Sequence, residues 1–225
     1  MFRDQEGWIR EYELREALWM HDGNPKRPHA KLTSGQCSEG FFNSKPVIAD
    51  ETLLYQAVCD LLDLFVEQGG NLQQVDGIVG PQTGATKLAE LMAARATELT
   101  GRPYFWISPA KVGEGSQKIM VFTDDNRAKL AGKTVLVCDD VITTAGSATL
   151  TADGSITAGA ATAIAFILAL VNRSAFGTVS DRQIIGLISR HLPNRAPAEC
   201  CLCAKGSTPL RPKEDNNWQL LNADY

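Results

Sequence analysis

The sequence predicts an α/β fold built on a mostly parallel sheet, and three apolar runs support this prediction. Residues 134–138 are apolar and rich in β-branched side chains without alternation, as expected of a strand that is buried on both faces of a parallel sheet. Residues 75–80 and 161–171 are two further strand-like runs, and helical patterns lie between the runs. Strands that alternate with helices in this way indicate parallel strands joined by crossover connections.

The length and composition are those of an ordinary globular protein. With 225 residues, of which 44% are hydrophobic and 21% charged, the chain is long enough for one domain with flanking segments. A net charge of −4 offers no basic footprint for a nucleic acid. Because no apolar run approaches the roughly 18 residues of a membrane span, we expect neither a nucleic acid nor a membrane as a partner.

The amino-terminal residues are charged and lack the basic-then-apolar order of a secretory signal. We therefore expect a cytoplasmic protein, in which the six cysteines stay reduced. Residues 6–20 carry an apolar stripe among charges and predict an amphipathic helix. Residues 32–49 predict a loop or a strand hairpin, and residues 50–67 predict a core helix that ends before two glycines.

Two adjacent carboxylates, Asp139 and Asp140, follow the first of these strands. Open α/β sheets bind their ligands at the carboxyl ends of the strands, where loops converge on a crevice. Carboxylates in that position accept hydrogen bonds from vicinal hydroxyls of a sugar, as an acidic residue does for ribose in nucleotide-binding folds. The acid pair is therefore a candidate sugar-binding site.

A loop of small and hydroxyl-bearing residues follows the acid pair. It consists of Thr143, Thr144, Ala145, Gly146 and Ser147. Such residues leave consecutive backbone N–H groups free to point at one anion. Residues 147–158 then predict a helix, whose positive dipole end adds to the attraction. The loop is a candidate phosphate site.

A second strand–loop–helix unit begins at residues 75–80. The loop contains Gln82, Thr83, Gly84 and Ala85, and an Ala- and Leu-rich helical pattern runs from there to about Leu99. Small residues can present backbone N–H groups to an anion, but Gly-Pro turns also open many helices that bind nothing. The residues alone leave both alternatives open.

The strand, the Asp-Asp pair and the Thr-Thr-Ala-Gly-Ser loop together resemble the diphosphoribose-binding signature of the type I phosphoribosyltransferases. The resemblance implies a Rossmann-like, mostly parallel sheet flanked by helices, with a small hood subdomain from the amino-terminal segment. It implies an amino-terminal helix and hood in residues 1–50, a catalytic core in residues 51–192 and a cysteine-containing extension in residues 193–225. In this resemblance the loop at residues 82–85 binds the pyrophosphate of phosphoribosyl pyrophosphate (PRPP).

Residues 34–43, which read SGQCSEGFFN, resemble the hood segment of the orotate phosphoribosyltransferase branch. Composition alone favours the core for both Phe41 and Phe42, although neighbouring side chains of a strand point to opposite sides, so that one ring could line a pocket. The resemblance implies that both rings lie at the pyrimidine site.

Arg173 follows the strand-like run at residues 161–171. Taken by itself it fits a surface arginine somewhat better than a ligand. In the resemblance it matches the orotate-binding arginine, and a guanidinium suits the carboxylate that distinguishes orotate from other bases.

Residues 108–117 are polar and glycine-rich, as is typical of a mobile loop. Family members carry here a lid that closes over the site and, from the other subunit of a homodimer, supplies basic residues to the pyrophosphate. Lys111 matches that basic position. The chain departs from the fuller pattern at Ile107 and Ser108, where relatives often carry Arg-Lys, and it lacks the histidine before the loop glycine.

The resemblance implies transfer of a phosphoribosyl group from PRPP to orotate, with Asp139, Asp140 and Lys111 as catalytic residues. Mg²⁺ is the expected cofactor, and PRPP itself would carry most of it, because Mg²⁺ prefers phosphate and water oxygens to a protein cage. Two alternatives remain open. One is a phosphoribosyltransferase for another base, and the other is a non-catalytic protein that binds PRPP or a nucleotide.

The carboxyl-terminal segment contains Cys200, Cys201 and Cys203. Cys200 and Cys203 form a C-x-x-C pair, but a structural zinc site needs four ligands. The sequence offers no second pair and no nearby His-x-x-x-His. Similar cysteine-rich tails occur in one bacterial subgroup of the orotate enzymes, so the pair supports the resemblance rather than a metal site.

Overall fold

A computed structural model describes residues 1–113 and 117–225. The helices are α1 (Gln5–Leu14), α2 (Lys45–Ala49), α3 (Glu51–Glu67), α4 (Thr86–Thr100), α5 (Asp124–Leu130), α6 (Gly146–Gly159), α7 (Cys201–Ala204) and α8 (Asn217–Asn222). The strands are β1 (Leu18–Met20), β2 (His29–Lys31), β3 (Cys37–Ser38), β4 (Gly40–Phe42), β5 (Gly77–Val79), β6 (Phe105–Ile107), β7 (Ala110–Val112), β8 (Ile119–Val121), β9 (Thr134–Ile142), β10 (Thr162–Asn172), β11 (Thr178–Val179), β12 (Arg182–Ser189), β13 (Asn194–Arg195) and β14 (Pro209–Leu210).

The central sheet has six strands in the order β11-β12-β10-β9-β5-β6. All neighbours pair in parallel except β11, which runs antiparallel to β12. Helices cover both faces, which confirms the predicted α/β class. The predicted strands at residues 75–80, 134–138 and 161–171 are β5, β9 and β10.

Apolar and polar residues do not alternate along residues 135–138 of β9, because each face of this strand packs against its own layer of helices. Leu136 and Cys138 face the large core formed with α1, α3 and α4. Val137 faces α6, and Val135 faces α5. All four side chains are at most 1% exposed, so every position along the strand must be apolar.

The amino-terminal helix is shorter than the pattern predicts, and this part of the prediction is wrong. Helix α1 ends at Leu14, and Glu16 adopts a left-handed backbone with φ 51°. Residues Leu18–Met20 then form β1, which pairs antiparallel with β4. The apolar residues at 18–20 therefore continue the buried surface in a strand and not in the helix.

A small second layer of sheet, called the hood here, joins the two ends of the chain. Four of its strands lie in the order β13-β3-β2-β14, and the neighbouring β1-β4 pair is counted with the hood. Strands β2 and β3 come from the amino-terminal fifty residues, whereas β13 and β14 come from the carboxyl-terminal segment. The segments 1–50 and 193–225 thus fold against each other, although the sequence assigns them to opposite ends.

Two parts of the core were not predicted as they are observed. Strand β12 lies beside β10 and was not predicted at all. Strand β7 lies within the predicted polar loop at residues 108–117 and pairs antiparallel with β8, which follows that loop. Of the predicted loop at residues 108–117, positions 114–116 lie outside the described residues. Within the described part of the chain, no helix is both long and apolar enough to cross a membrane.

Candidate active site

The sheet order places three loops at one edge. Strands β5, β9 and β10 are parallel neighbours, with Val79 opposite Val137 and Ala169 opposite Asp139. Because parallel strands end at the same edge of a sheet, their carboxyl-terminal loops converge there. The loops that follow these strands contain the candidate residues at positions 82–85, 143–147 and 173.

The two carboxylates at the end of β9 differ in their surroundings. Asp139 is only 6% exposed, and its Oδ1 accepts a hydrogen bond of 2.9 Å from the backbone N–H of Asp140. Burial first, and the negative charge of Asp140 second, raise the pKa of Asp139 well above its ordinary value. Asp140 is half-buried. Among the described residues, neither carboxylate takes part in a salt bridge.

Asp140 lies directly against the loop at residues 82–85. A Cβ atom built on Gly84 would stand 2.6 Å from the carboxylate carbon of Asp140, so only a glycine fits without displacing that carboxylate. Gln82 and Thr83 are exposed, and Ala85 is buried. The acid pair and this loop, which the sequence could place only separately, therefore form one site.

Ser108 and Pro109 hold the loop in place, and the sequence analysis did not single them out for this role. The carbonyl of Pro109 accepts a bond of 2.9 Å from the backbone N–H of Gln82, and the carbonyl of Ser108 accepts one of 3.0 Å from Gln82 Nε2. The hydroxyls of Ser108 and Thr86 are 2.7 Å apart. The available signal was their position, since both residues follow β6 at the same edge of the sheet.

The candidate phosphate loop at residues 143–147 enters α6 through a left-handed residue. Ala145 has φ 57° and ψ 3°, and no side chain caps the first turn of α6. Successive residues of opposite helical hand turn their N–H groups towards one point, and uncapped N–H groups at a helix start need an outside acceptor. Thr144 and Gly146 are exposed, whereas Thr143 and Ser147 are half-buried, so the loop is open to an anion.

Lys111 lies at the candidate phosphate loop of its own chain. Its side chain reaches from β7, and Nζ donates a hydrogen bond of 2.9 Å to Ser147 Oγ. The same ammonium group lowers the pKa of Asp139, although by less than burial raises it. The structure thus brings together the predicted catalytic residues Asp139, Asp140 and Lys111.

The two phenylalanines of the hood occupy different environments. Phe42 is 2% exposed and packs edge-to-face on Tyr12, with ring centroids 5.6 Å apart. Phe41 is half-buried, and its ring centroid lies 5.9 Å from that of Trp218 in α8. Phe42 is therefore a core residue in this conformation. Its predicted contact with a pyrimidine, like that of Phe41, stays a prediction.

Arg173 is buried at the junction between the sheet and the hood, where it is 2% exposed. Its guanidinium donates hydrogen bonds to the carbonyls of Gly40 and Leu192, at 3.1 and 3.4 Å. It also donates to Ser38 Oγ and Asn194 Oδ1, at 2.6 and 3.1 Å. Burial lowers its pKa to about 10, and Nε has no hydrogen-bond partner in the described part of the chain. The surface position that fitted the isolated sequence is not observed.

Comparison with known proteins identifies the family. The model of the phosphoribosyl transferase domain matches residues 48–180, more than half of the chain. The chain belongs to the phosphoribosyltransferase family. The match covers the acid pair and both candidate anion-binding loops.

Individual relatives of this phosphoribosyltransferase are orotate enzymes by name. The orotate phosphoribosyltransferases of Nitratiruptor sp. and Campylobacter curvus are 25% and 27% identical to it, and each alignment covers 90% of this chain and 98% of the relative. The crystal structure of orotate phosphoribosyltransferase from Aeropyrum pernix superposes with a TM-score of 0.54 at 20% identity, covering 81% of this chain and 93% of the other. The fold is the predicted type I phosphoribosyltransferase fold.

The replacement Asp139→Asn is expected to stabilise this phosphoribosyltransferase at neutral pH. The pKa of Asp139 is raised on folding above an unfolded value of about 3.9. The folded state therefore binds this proton more tightly, and its contribution to stability is lost as pH rises through the folded-state pKa. Because asparagine does not ionise, the gain should be small near pH 4 and grow towards about pH 8.

Chemical denaturation of both proteins across this pH range measures the difference in unfolding free energy. Asp125→Asn, at an exposed position of α5, is the matched control. A gain that stays constant or shrinks with rising pH would contradict the assignment.

Gly84→Ala is expected to weaken PRPP binding about tenfold or more while the melting temperature changes little. The added methyl group would displace the Asp140 carboxylate, and a small misplacement of a positioned group has a large effect on activity. Gly177→Ala is the control, since nothing lies within 4 Å of its added Cβ. Titration calorimetry with PRPP measures the change. Equal affinities for both variants would show that the loop does not meet the donor.

Proposed function

We propose that the protein transfers the phosphoribosyl group of PRPP to orotate and releases pyrophosphate and orotidine 5′-monophosphate. The observation that supports this most strongly is the convergence at one sheet edge of an acid pair, two anion-binding loops and a lysine. Asp140 touches Gly84, and Lys111 touches Ser147. A phosphorylated sugar with a second anionic group is the ligand whose parts match these contacts.

Each part of the donor has a matching group in the proposed complex. The phosphate-binding loop at residues 143–147 binds the 5′-phosphate, and the loop at residues 82–85 binds the pyrophosphate. Asp139 and Asp140 accept hydrogen bonds from the ribose hydroxyls. Asp140 is the more accessible of the two, so we assign the direct contact to Asp140 and a supporting role to Asp139.

Catalysis in this arrangement is mainly electrostatic. During the transfer the ribose ring gains cationic character, and negative charge grows on the departing pyrophosphate. A carboxylate next to the ring stabilises the first charge, and Lys111 stabilises the second after its side chain turns from Ser147 towards the pyrophosphate. A donor or charge aimed at a developing charge typically lowers the barrier by about 3 kcal/mol.

The acid pair also fits the Mg²⁺ that the resemblance implies. Two adjacent carboxylates without a salt bridge in the described residues leave negative charge that a cation can neutralise, and oxygen is the ligand that Mg²⁺ prefers. Asp140, and through it Asp139, would hold the ion together with oxygens of PRPP. When bound, Mg²⁺ neutralises charge on the leaving pyrophosphate.

Arg173 supports orotate as the acceptor. Its guanidinium is buried with neutral acceptors around it, and no carboxylate pairs with it in the described residues. A buried charge without a counter-charge is costly, and the carboxylate of orotate would supply one. The orotate enzymes among the relatives agree with this choice.

Because Arg173 is enclosed by Ser38 and Gly40 of the hood, the hood must shift for orotate to reach it, and Phe41 and Phe42 shift with it.

We also propose that the protein forms a homodimer and is located in the cytoplasm. The contact between Lys111 and Ser147 supports a role of this lysine within its own subunit. A lid that reaches the neighbouring subunit stays a prediction.

The central test is a magnesium-dependent fall in orotate absorbance after PRPP is added. Asp140→Asn should lower the rate about 100-fold or more, because it removes the charge next to the ribose ring, while circular dichroism and the melting temperature stay unchanged. Asp153→Asn serves as the control with the parent rate. If PRPP binds but orotate is not consumed, the result would favour a non-catalytic protein that binds PRPP. If a different base is consumed, the result would favour a phosphoribosyltransferase for that base.

Arg173→Ala tests the acceptor separately from the donor. We expect the KM for orotate to rise about 30-fold or more, as is typical when one partner of a buried ion pair is removed, with less than a threefold change in PRPP affinity. Arg211→Ala removes an exposed arginine and is the control. Both assays should be run well below the melting temperature of the variant, because hydrogen bonds from Arg173 also connect the hood to the central sheet. Equal weakening of both substrates would contradict a carboxylate-binding role.

A further inference from the structure

Four potential metal ligands from distant parts of the chain meet in the hood. His29 lies in β2 and Cys37 in β3, whereas Cys200 immediately precedes α7 and Cys203 lies within it. Their ligand atoms, one imidazole nitrogen and three sulfurs, all lie within 4.8 Å of one another. The C-x-x-C pair that lacked partners in the sequence therefore has two partners in the fold.

Three of the distances within this cluster match those of a tetrahedron around one ion. Zinc–sulfur bonds of about 2.3 Å and zinc–nitrogen bonds of about 2.0 Å give tetrahedral edges of about 3.8 Å between sulfurs and about 3.5 Å between sulfur and nitrogen. The Sγ atoms of Cys37 and Cys203 are 3.7 Å apart. His29 Nε2 lies 3.6 Å from Cys200 Sγ and 3.4 Å from Cys203 Sγ. A disulfide would need a sulfur–sulfur distance of about 2.05 Å.

The hydrogen bonds behind His29 orient its free electron pair towards the sulfurs. The hydroxyl of Ser207 donates to the carbonyl of Arg27 at 2.6 Å, so its oxygen can accept but has no second proton to give. His29 Nδ1 lies 2.8 Å from that oxygen and must donate to it. The proton therefore resides on Nδ1, and Nε2 faces the three thiols as a base. Metal-binding histidines are usually oriented by such a second hydrogen bond.

Three of the four candidate ligands are buried. His29 is 0% exposed, Cys37 1% and Cys200 5%. Buried thiols and an imidazole in this spacing otherwise satisfy each other only through weak S–H hydrogen bonds.

We propose that His29, Cys37, Cys200 and Cys203 bind one structural Zn²⁺. Three thiolates and one imidazole in a tetrahedron form a closed site, as in structural zinc centres. Soft sulfur ligands favour zinc over Mg²⁺, which prefers oxygen. The site is thus distinct from the Mg²⁺ of the acid pair, in both ligands and location.

Such an ion would fasten the carboxyl-terminal extension to the amino-terminal hood. It would link β2 and β3 to α7 across more than 160 residues of sequence. Cys37 also precedes Ser38, whose hydroxyl accepts a bond of 2.6 Å from Arg173. Zinc would therefore fix the hood strand that covers the proposed acceptor arginine.

Metal analysis of the full chain, purified without chelator or a metal-affinity tag and then dialysed with a small excess of Zn²⁺, tests the proposal. Mass spectrometry of the elements should find about one zinc per chain. Cys203→Ser should retain much less, whereas Cys201→Ser should retain the full amount, because the neighbouring Cys201 is exposed and lies outside the cluster. Equal zinc in these two variants, or none in the parent, would overturn the proposal.

Two further measurements remain decisive even if Cys203→Ser does not fold. Replacing zinc by Co²⁺ in the parent chain should give the strong visible bands of a tetrahedral, thiolate-rich site, and octahedral spectra would refute it. Ser207→Ala keeps all four ligands but frees His29 to turn, so Zn²⁺ affinity measured by chelator competition should fall about tenfold or more. An unchanged affinity, or alkylation showing that the cluster cysteines are joined as a disulfide in the purified chain, would count against the site.

Discussion

The position of β9 between β5 and β10 is the constraint on which the rest of the structure depends. Both neighbours run parallel to it, so the loops after these three strands meet at one edge of the sheet. This pairing requires residues 135–138 of β9 to be apolar on both faces, and the two carboxylates follow this apolar run in the last part of the strand. A shift of one residue in register would turn Asp140 away from Gly84 and separate the acid pair from the loop that it touches.

The site combines buried charges that the protein itself does not neutralise. Burial disfavours the charged form of Asp139, and it also lowers the pKa of Arg173. Both groups would be more stably accommodated as neutral residues, which is a common feature of functional sites. A donor with its cation beside Asp139, and an anionic acceptor beside Arg173, would each relieve one of these costs. Substrate binding and folding stability are thus coupled through the same two side chains.

The sequence predicted the features that depend on neighbouring residues. Strand β9, the acid pair and the small-residue loop are local patterns, so they were found at their observed positions. Features that depend on distant contacts were missed. Leu18–Met20 resembles helix in composition but becomes β1 because β4 lies beside it, and β12 is specified by its place next to β10. Likewise, no spacing rule joins His29 and Cys37 to a cysteine pair near the other terminus.

The two halves of the proposed reaction rest on different parts of the chain. The groups assigned to the donor lie on loops of the central sheet, between β5 and α6, where the core packs on both faces. The groups assigned to the acceptor lie at the junction of β10 with the hood, which needs both termini to fold together. Since Arg173 is enclosed by hood strands in this conformation, access to it depends on how firmly the hood is held. The proposed zinc, which would connect the two termini, would therefore affect how orotate reaches Arg173. It would not affect the loops assigned to PRPP, because no cysteine of the cluster belongs to those loops.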